Sequence, residues 1–251
     1  MRQLRAALRF AKKKEYIKQV PAVDMIAGNE DDNTERSFTT EEYERMLSAA
    51  KKAVPSEDLK DWQFLMNAMW LSGIRLSEAM QLTWSRTGVV AIIERRPGIF
   101  CLSFKPEGQK NNKRQIIPCI PEMSDLLNSV PKSERTGFAI NVLQDEQPGP
   151  RKVKVREVIK SISKAASVSL TPGVEDWAKP HDYRRSFVTK QVLDGVSPFL
   201  LQKVARHENI QTTLKYYLHL DLDGMLDTMY DRQGHTDYRP DTTAEKRFFP
   251  R

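Results

Sequence analysis

The chain has 251 residues, 39% hydrophobic and 29% charged, with a formal net charge of +7. No run approaches the roughly 18 apolar residues of a membrane span, and the two cysteines, Cys101 and Cys119, are too few for a disulfide framework or a thiolate metal site. The basic balance favours polyanion partners, because neutralised phosphates release their counterions.

In chain order, residues 2–17 show Leu4, Leu8 and Ala11 at helical spacing with basic residues between them, a short helix ended by Pro21. This basic start has neither the long apolar stretch nor the small-residue cleavage site of a secretory signal, so the protein is expected in the cytoplasm, with reduced thiols. Residues 21–37 read as a linker, polar and acidic from Asn29 to Arg36. Thr39 and Glu42 fit a capping box, followed by Tyr43, Met46 and Leu47. Pro55 and Ser56 open a helix running through Trp62, Leu65 and Met69 to Gly73, and 74–82 reads as a third helical piece. The period then changes. Runs at 88–93, 99–104 and 115–120 predict an antiparallel sheet of about three strands, with a polar turn over 106–113. From Ser124 the pattern is helical until Pro148, Gly149 and Pro150 break it. Helices are predicted at about 151–166, 181–193, 198–205 and 211–218, and the tail over 231–251 is polar. The fold class is mainly α with a small antiparallel β-sheet (α+β).

Taken singly, the residues that could carry chemistry give weak signals. His181 and Arg184 share a helical face, and an imidazole beside a guanidinium suits an anionic oxygen. Arg75 sits at a helix start, where the macrodipole disfavours a cation; it calls for an anion or for Glu78 one turn on, and a plain surface salt bridge is the simpler reading. Lys110 lies at the tip of the predicted hairpin, among Lys105, Lys113 and Arg114. A second basic cluster runs from Arg151 through Lys152, Lys154, Arg156 and Lys160 to Lys164. His207 and the adjacent Tyr216 and Tyr217 complete the set.

Their order and spacing are more specific. The phrases "LSGIRLSEAMQLTW" around Arg75, "QKNNKRQIIP" around Lys110, "HDYRRSF" around His181 and "ARHENIQTTLKYY" from Ala205 resemble the tyrosine recombinase, or phage-type integrase, family over about residues 38–220. Lys110 stands eight residues before Pro118, and His207 nine before Tyr216, as in that pattern. The chain departs from it at Ala205-Arg206-His207, where the family has Leu-Gly-His, and at Arg185, where it often has His.

The resemblance implies the family's catalytic-domain fold over 38–230, with residues 1–20 as the last helix of an N-terminal DNA-clamping domain. It implies a site-specific DNA recombinase acting through a 3′-phosphotyrosyl intermediate. The alternatives are a decayed or truncated integrase that only binds DNA, and type IB topoisomerase-like relaxation. It further implies Arg75, Lys110, His181, Arg184, His207 and Tyr216 as catalytic groups, with Glu78 orienting one of them. Tyr217 stands as the other candidate nucleophile. Lys105, Lys113, Arg114, Arg185 and Arg206 are expected to contact DNA. No cofactor and no metal are implied. The expected partners are double-stranded DNA and further copies of the chain, from dimer to tetramer, at the nucleoid and away from membranes.

Overall fold

The computed structural model describes residues 2–21, 36–108, 114–171 and 174–218. The chain divides into two units, Met1–Glu35 and Arg36–Arg251. In the first, helix α1 spans Arg2–Lys13 and stops short of the predicted end at residue 17, because Glu15 turns into the left-handed region (φ 60°).

The second unit begins with α2 (Thr40–Ala49), and the predicted capping box is present: Thr39 Oγ1 accepts from the Glu42 amide, and the Glu42 carboxylate accepts from the Thr39 amide. Helix α3 (Leu59–Ser72) buries Trp62, Leu65, Met66 and Met69 and ends at Gly73, whose left-handed φ of 59° suits a residue without Cβ. Phe38 and Tyr43 pack their rings on Trp70 and Tyr183, which fixes α2 and α3 against α7 (Pro180–Leu193).

The third helical piece is shorter than predicted. Helix α4 covers only Leu76–Ala79, and Leu82–Thr83 form a strand, β1. The apolar spacing is helical, but tertiary pairing wins: Leu82 O accepts from Ala139 N, while Gly137 O accepts from Trp84 N and the Thr83 hydroxyl. Strands β2 (Val90–Arg96), β3 (Ile99–Phe104) and β4 (Gln115–Pro118) form the predicted antiparallel ladder. With β1 parallel to β2, the sheet has four strands and is mixed.

Helix α5 spans Pro121–Asn128. Helix α6 (Pro148–Ala165) begins at the Pro-Gly-Pro expected to break the pattern. The amides of a helix's first turn lack intrahelical partners anyway, so proline costs nothing there. Helices α7, α8 (Pro198–Ala205) and α9 (Ile210–Leu218) follow closely as predicted.

Two apolar clusters result. The larger gathers α2, α3, the sheet, α5 and α6; the smaller holds Phe187, Val188, Val192, Leu201 and Ala205, with Tyr216 and Tyr217 packed on it. Gly73 sits where the two approach, and a Cβ there would stand 2.4 Å from Phe187 Cδ1. Gly73→Ala adds left-handed strain to overpacking, and is expected to cost about 2–4 kcal/mol, read as a lower midpoint in urea unfolding.

Candidate active site

The site is built where α4, α7, α9 and the turn after α8 meet. Arg75 precedes α4 in extended backbone (φ −70°, ψ 149°), with 44% of its side chain open to solvent. The salt bridge weighed for it from sequence is present. Glu78 Oε2 accepts from the Arg75 amide at 2.8 Å, and Oε1 from the Arg75 guanidinium at 3.0 Å. Arg75 also lines an open groove of about 270 Å³.

Arg184 enters from the first half of α7 and is buried. One guanidinium nitrogen donates to Gly73 O at 2.8 Å, the other to Ala205 O. A single side chain thus ties the backbone two residues before Arg75 to the backbone two residues before His207. Burial and the neighbouring Arg75 and Arg206 push its pKa down, yet a guanidinium stays charged at neutral pH. His181 stands one turn earlier, at the exposed rim of the same groove. Partial desolvation and the charge of Arg185 lower its pKa.

His207 is half-buried. Its Nδ1 lies 2.9 Å from the hydroxyl of Thr213, itself fully buried on α9. Burial, then the charges of Arg184, Arg75 and Arg206, lower its pKa to about 4, so the ring is neutral at pH 7. The Tyr216 ring stacks on it, centroids 6.4 Å apart and planes 11° apart. Burial raises the Tyr216 pKa, opposed by Arg185 and Arg184. The neighbouring Tyr217 differs: its hydroxyl donates to Val196 O in the α7–α8 connection.

Of the six catalytic candidates, Arg75, His181, Arg184, His207 and Tyr216 therefore come together. Lys110 lies outside the described residues, as does Lys113. Lys105 Nζ donates to Thr87 O at the base of the hairpin, and Arg114 is exposed at the start of β4. Arg185 pairs with Asp182 at 3.3 Å. Arg206 corrects the expectation of a DNA contact. It points inward, with 2% of its side chain exposed, and grips Glu78 through two bonds of 2.9 and 2.7 Å while lying 3.7 Å over the Phe104 ring. Burial opposes ionisation of Glu78, but the hydrogen bonds and charges of Arg206 and Arg75 outweigh it and hold the carboxyl below its ordinary pKa.

Three basic lining residues were not assigned to the site from sequence: Lys152 and Arg156, one turn apart on α6, and Lys179 beside α7. The signal for the first two was the spacing of the α6 basic cluster, which lacked a known neighbour; Lys179 gave none. Among the described residues, no cluster of three or more His, Cys, Asp or Glu could hold a metal ion, and no helix is long and apolar enough to cross a membrane.

Residues 36–223 match the sequence model of the phage integrase family. The tyrosine recombinase XerD of Lacticaseibacillus casei is 23% identical over 223 residues, covering 86% of this chain and 69% of that protein. The fold is similar to that of XerA recombinase (TM-score 0.55, 17% identity, 91% of this chain and 73% of the other). It is also similar to the Tn1549 transposon integrase in complex with transposon right end DNA (TM-score 0.58, 18% identity, 93% and 77%).

The lowered His207 pKa has a consequence for stability. In the unfolded chain a histidine titrates near 6.5, so between about pH 6.5 and 4 the unfolded state binds the extra proton. Stability present above pH 6.5 is therefore lost as pH falls through that window. Between about pH 7.5 and 5.5, where carboxylates stay ionised, urea unfolding is expected to show a larger loss for the parent than for His207→Gln.

Proposed function

The chain belongs to the phage integrase family, and from that premise we propose that it is a site-specific DNA recombinase that cuts and rejoins strands through a tyrosine-linked intermediate. The observation that carries this reading is the convergence of two guanidinium groups and two imidazoles around one half-buried tyrosine, beside a basic groove.

Phosphodiester transfer requires a nucleophile, neutralisation of the phosphoryl oxygens and a proton for the leaving oxygen. In this reading the Tyr216 hydroxyl attacks the scissile phosphorus. A bond forms between the tyrosine oxygen and phosphorus, and the bond to the 5′-oxygen breaks. The product is a 3′-phosphotyrosyl link and a free 5′-hydroxyl, with no external energy source needed for resealing. Arg75 and Arg184 supply charge to the non-bridging oxygens. A neutral His207 whose Nδ1 accepts from the Thr213 hydroxyl carries its proton on Nε2, which then donates to the phosphate. His181, at the rim, takes the tyrosine proton. Lys110, from its hairpin, protonates the departing 5′-oxygen. Tyr216 is favoured over Tyr217 because the Tyr217 hydroxyl is engaged with Val196 O.

The substrate in this reading is double-stranded DNA. Its backbone lies along the groove lined by Lys152, Arg156 and Lys179, with Lys105, Arg114 and Arg185 as further phosphate contacts. The Tn1549 integrase of similar fold is bound to DNA. Strand exchange needs two sites and hence several protomers, so a dimer to tetramer forms on DNA. Residues 1–20 would belong to a DNA-clamping domain.

Nicked duplexes tiled from the DNA flanking the protein's own gene test the chemistry. Mixed with protein and run on denaturing gels, they are expected to give a covalent adduct with the parent and with Tyr217→Phe, and none with Tyr216→Phe. An adduct lost only in Tyr217→Phe moves the nucleophile by one residue. Absence of any adduct, with duplex binding retained, favours a DNA-binding integrase that does not cleave.

Arg75→Ala is expected to lower the single-turnover rate by at least about a hundredfold, with little loss of duplex affinity. It is a cleaner probe than Arg184→Ala, which also releases the carbonyls of Gly73 and Ala205.

A further inference from the structure

Arg206 occupies a position that ordinarily suits glycine. Its φ of 55° and ψ of 46° lie in the left-handed region, just past the end of α8. There it tolerates backbone strain on the order of 1 kcal/mol or more, so its side chain must return something that glycine could not. The contacts of that side chain all lie within the protein: two hydrogen bonds to Glu78 and the face of Phe104.

Among the described residues Glu78 accepts four bonds, two from Arg206 and two from Arg75. Its single negative charge is therefore shared between two cations. Without Arg206, the buried carboxylate would have Arg75 as its remaining partner among the described residues. It would draw in both edges of that guanidinium and cancel most of its charge. With Arg206 in place, Arg75, Arg184 and Arg206 outweigh Glu78, and the groove stays electropositive.

We infer that Arg206 is a positioning residue for the proposed reaction. By holding Glu78 with a two-pronged grip, it leaves Arg75 one free guanidinium edge and its charge to meet the phosphate. The same residue carries His207 as its neighbour in the chain, so one side chain sets the spacing between the two phosphate-facing groups. This inference rests on the recombinase reading for its first test and is independent of it for its second.

The first test is the single-turnover rate of adduct formation on the nicked duplex that the parent cleaves. Arg206→Gly is expected to slow it about ten- to hundredfold, with duplex affinity within about twofold. Adding Glu78→Gln to Arg206→Gly removes the competing charge and is expected to recover part of the rate. A role confined to folding would lower the rate in step with the thermal midpoint, and Glu78→Gln would recover nothing. If Arg206→Gly does not fold, Arg206→Lys takes its place, keeping a cation but losing the second prong.

The second test uses inorganic phosphate and the protein alone, followed through the ring signals of His181 and His207 by NMR. Phosphate is expected to perturb both in the parent, more weakly in Arg206→Gly, and again more strongly in the double variant. A parental cleavage rate in Arg206→Gly, or a double variant no better than the single one in either test, overturns the inference. No adduct from the parent, with the phosphate pattern intact, overturns the recombinase reading and keeps the role of Arg206. Loss of both signals in the parent overturns both.

Discussion

The site depends on one buried carboxylate. Glu78 caps its own short helix, accepts from the backbone and side chain of Arg75, and receives both prongs of Arg206. A buried carboxylate is costly unless every lone pair finds a donor, and here one donor, Arg206, lies 128 residues away along the chain. The pair thereby joins the start of α4 to the end of α8. Helix α4 has only four residues and little intrinsic stability, so its place is set by these hydrogen bonds and by packing rather than by propensity.

Arg184 performs the matching task from the other side. It is buried because α7 packs against α3, α8 and α9, and its charge is tolerated because two carbonyls at helix C-termini accept from it. Those carbonyls, Gly73 O and Ala205 O, lie at the ends of α3 and α8, where helix backbones leave acceptors unsatisfied and carry partial negative charge. A cation that serves as a structural tie is thus already held rigid and desolvated when an anion arrives. In the proposed reaction this would be the preorganisation that electrostatic stabilisation requires.

Much of this was legible in the sequence because it rests on local spacing. The Thr39–Glu42 capping box, Gly73 at the end of α3, the β3–β4 hairpin and the last three helices follow from rules that reach no further than a few residues. The convergence of Arg75, His181, Arg184, His207 and Tyr216 was reachable only through family resemblance, since no periodicity brings residue 75 to residue 216. What escaped was tertiary. The strand at Leu82–Thr83 exists because residues 137–139 pair with it. The inward turn of Arg206 depends on Glu78 and Phe104, and a basic residue beside a candidate histidine reads from sequence as a phosphate contact.

The two apolar clusters divide the site between them. Arg75 and Glu78 are seated among Ile74, Leu76 and Ala79 of the larger one, while His207 and Tyr216 ride on the smaller, built from α7, α8 and α9. The site therefore straddles a mechanical seam, stitched by Arg206 to Glu78 and by Arg184 to the ends of α3 and α8. Small clusters open at lower free energy than large ones. Parting the seam would separate the tyrosine from Arg75 while the larger core stayed folded, so in the proposed reaction cutting competence is a matter of whether two halves of one domain are closed.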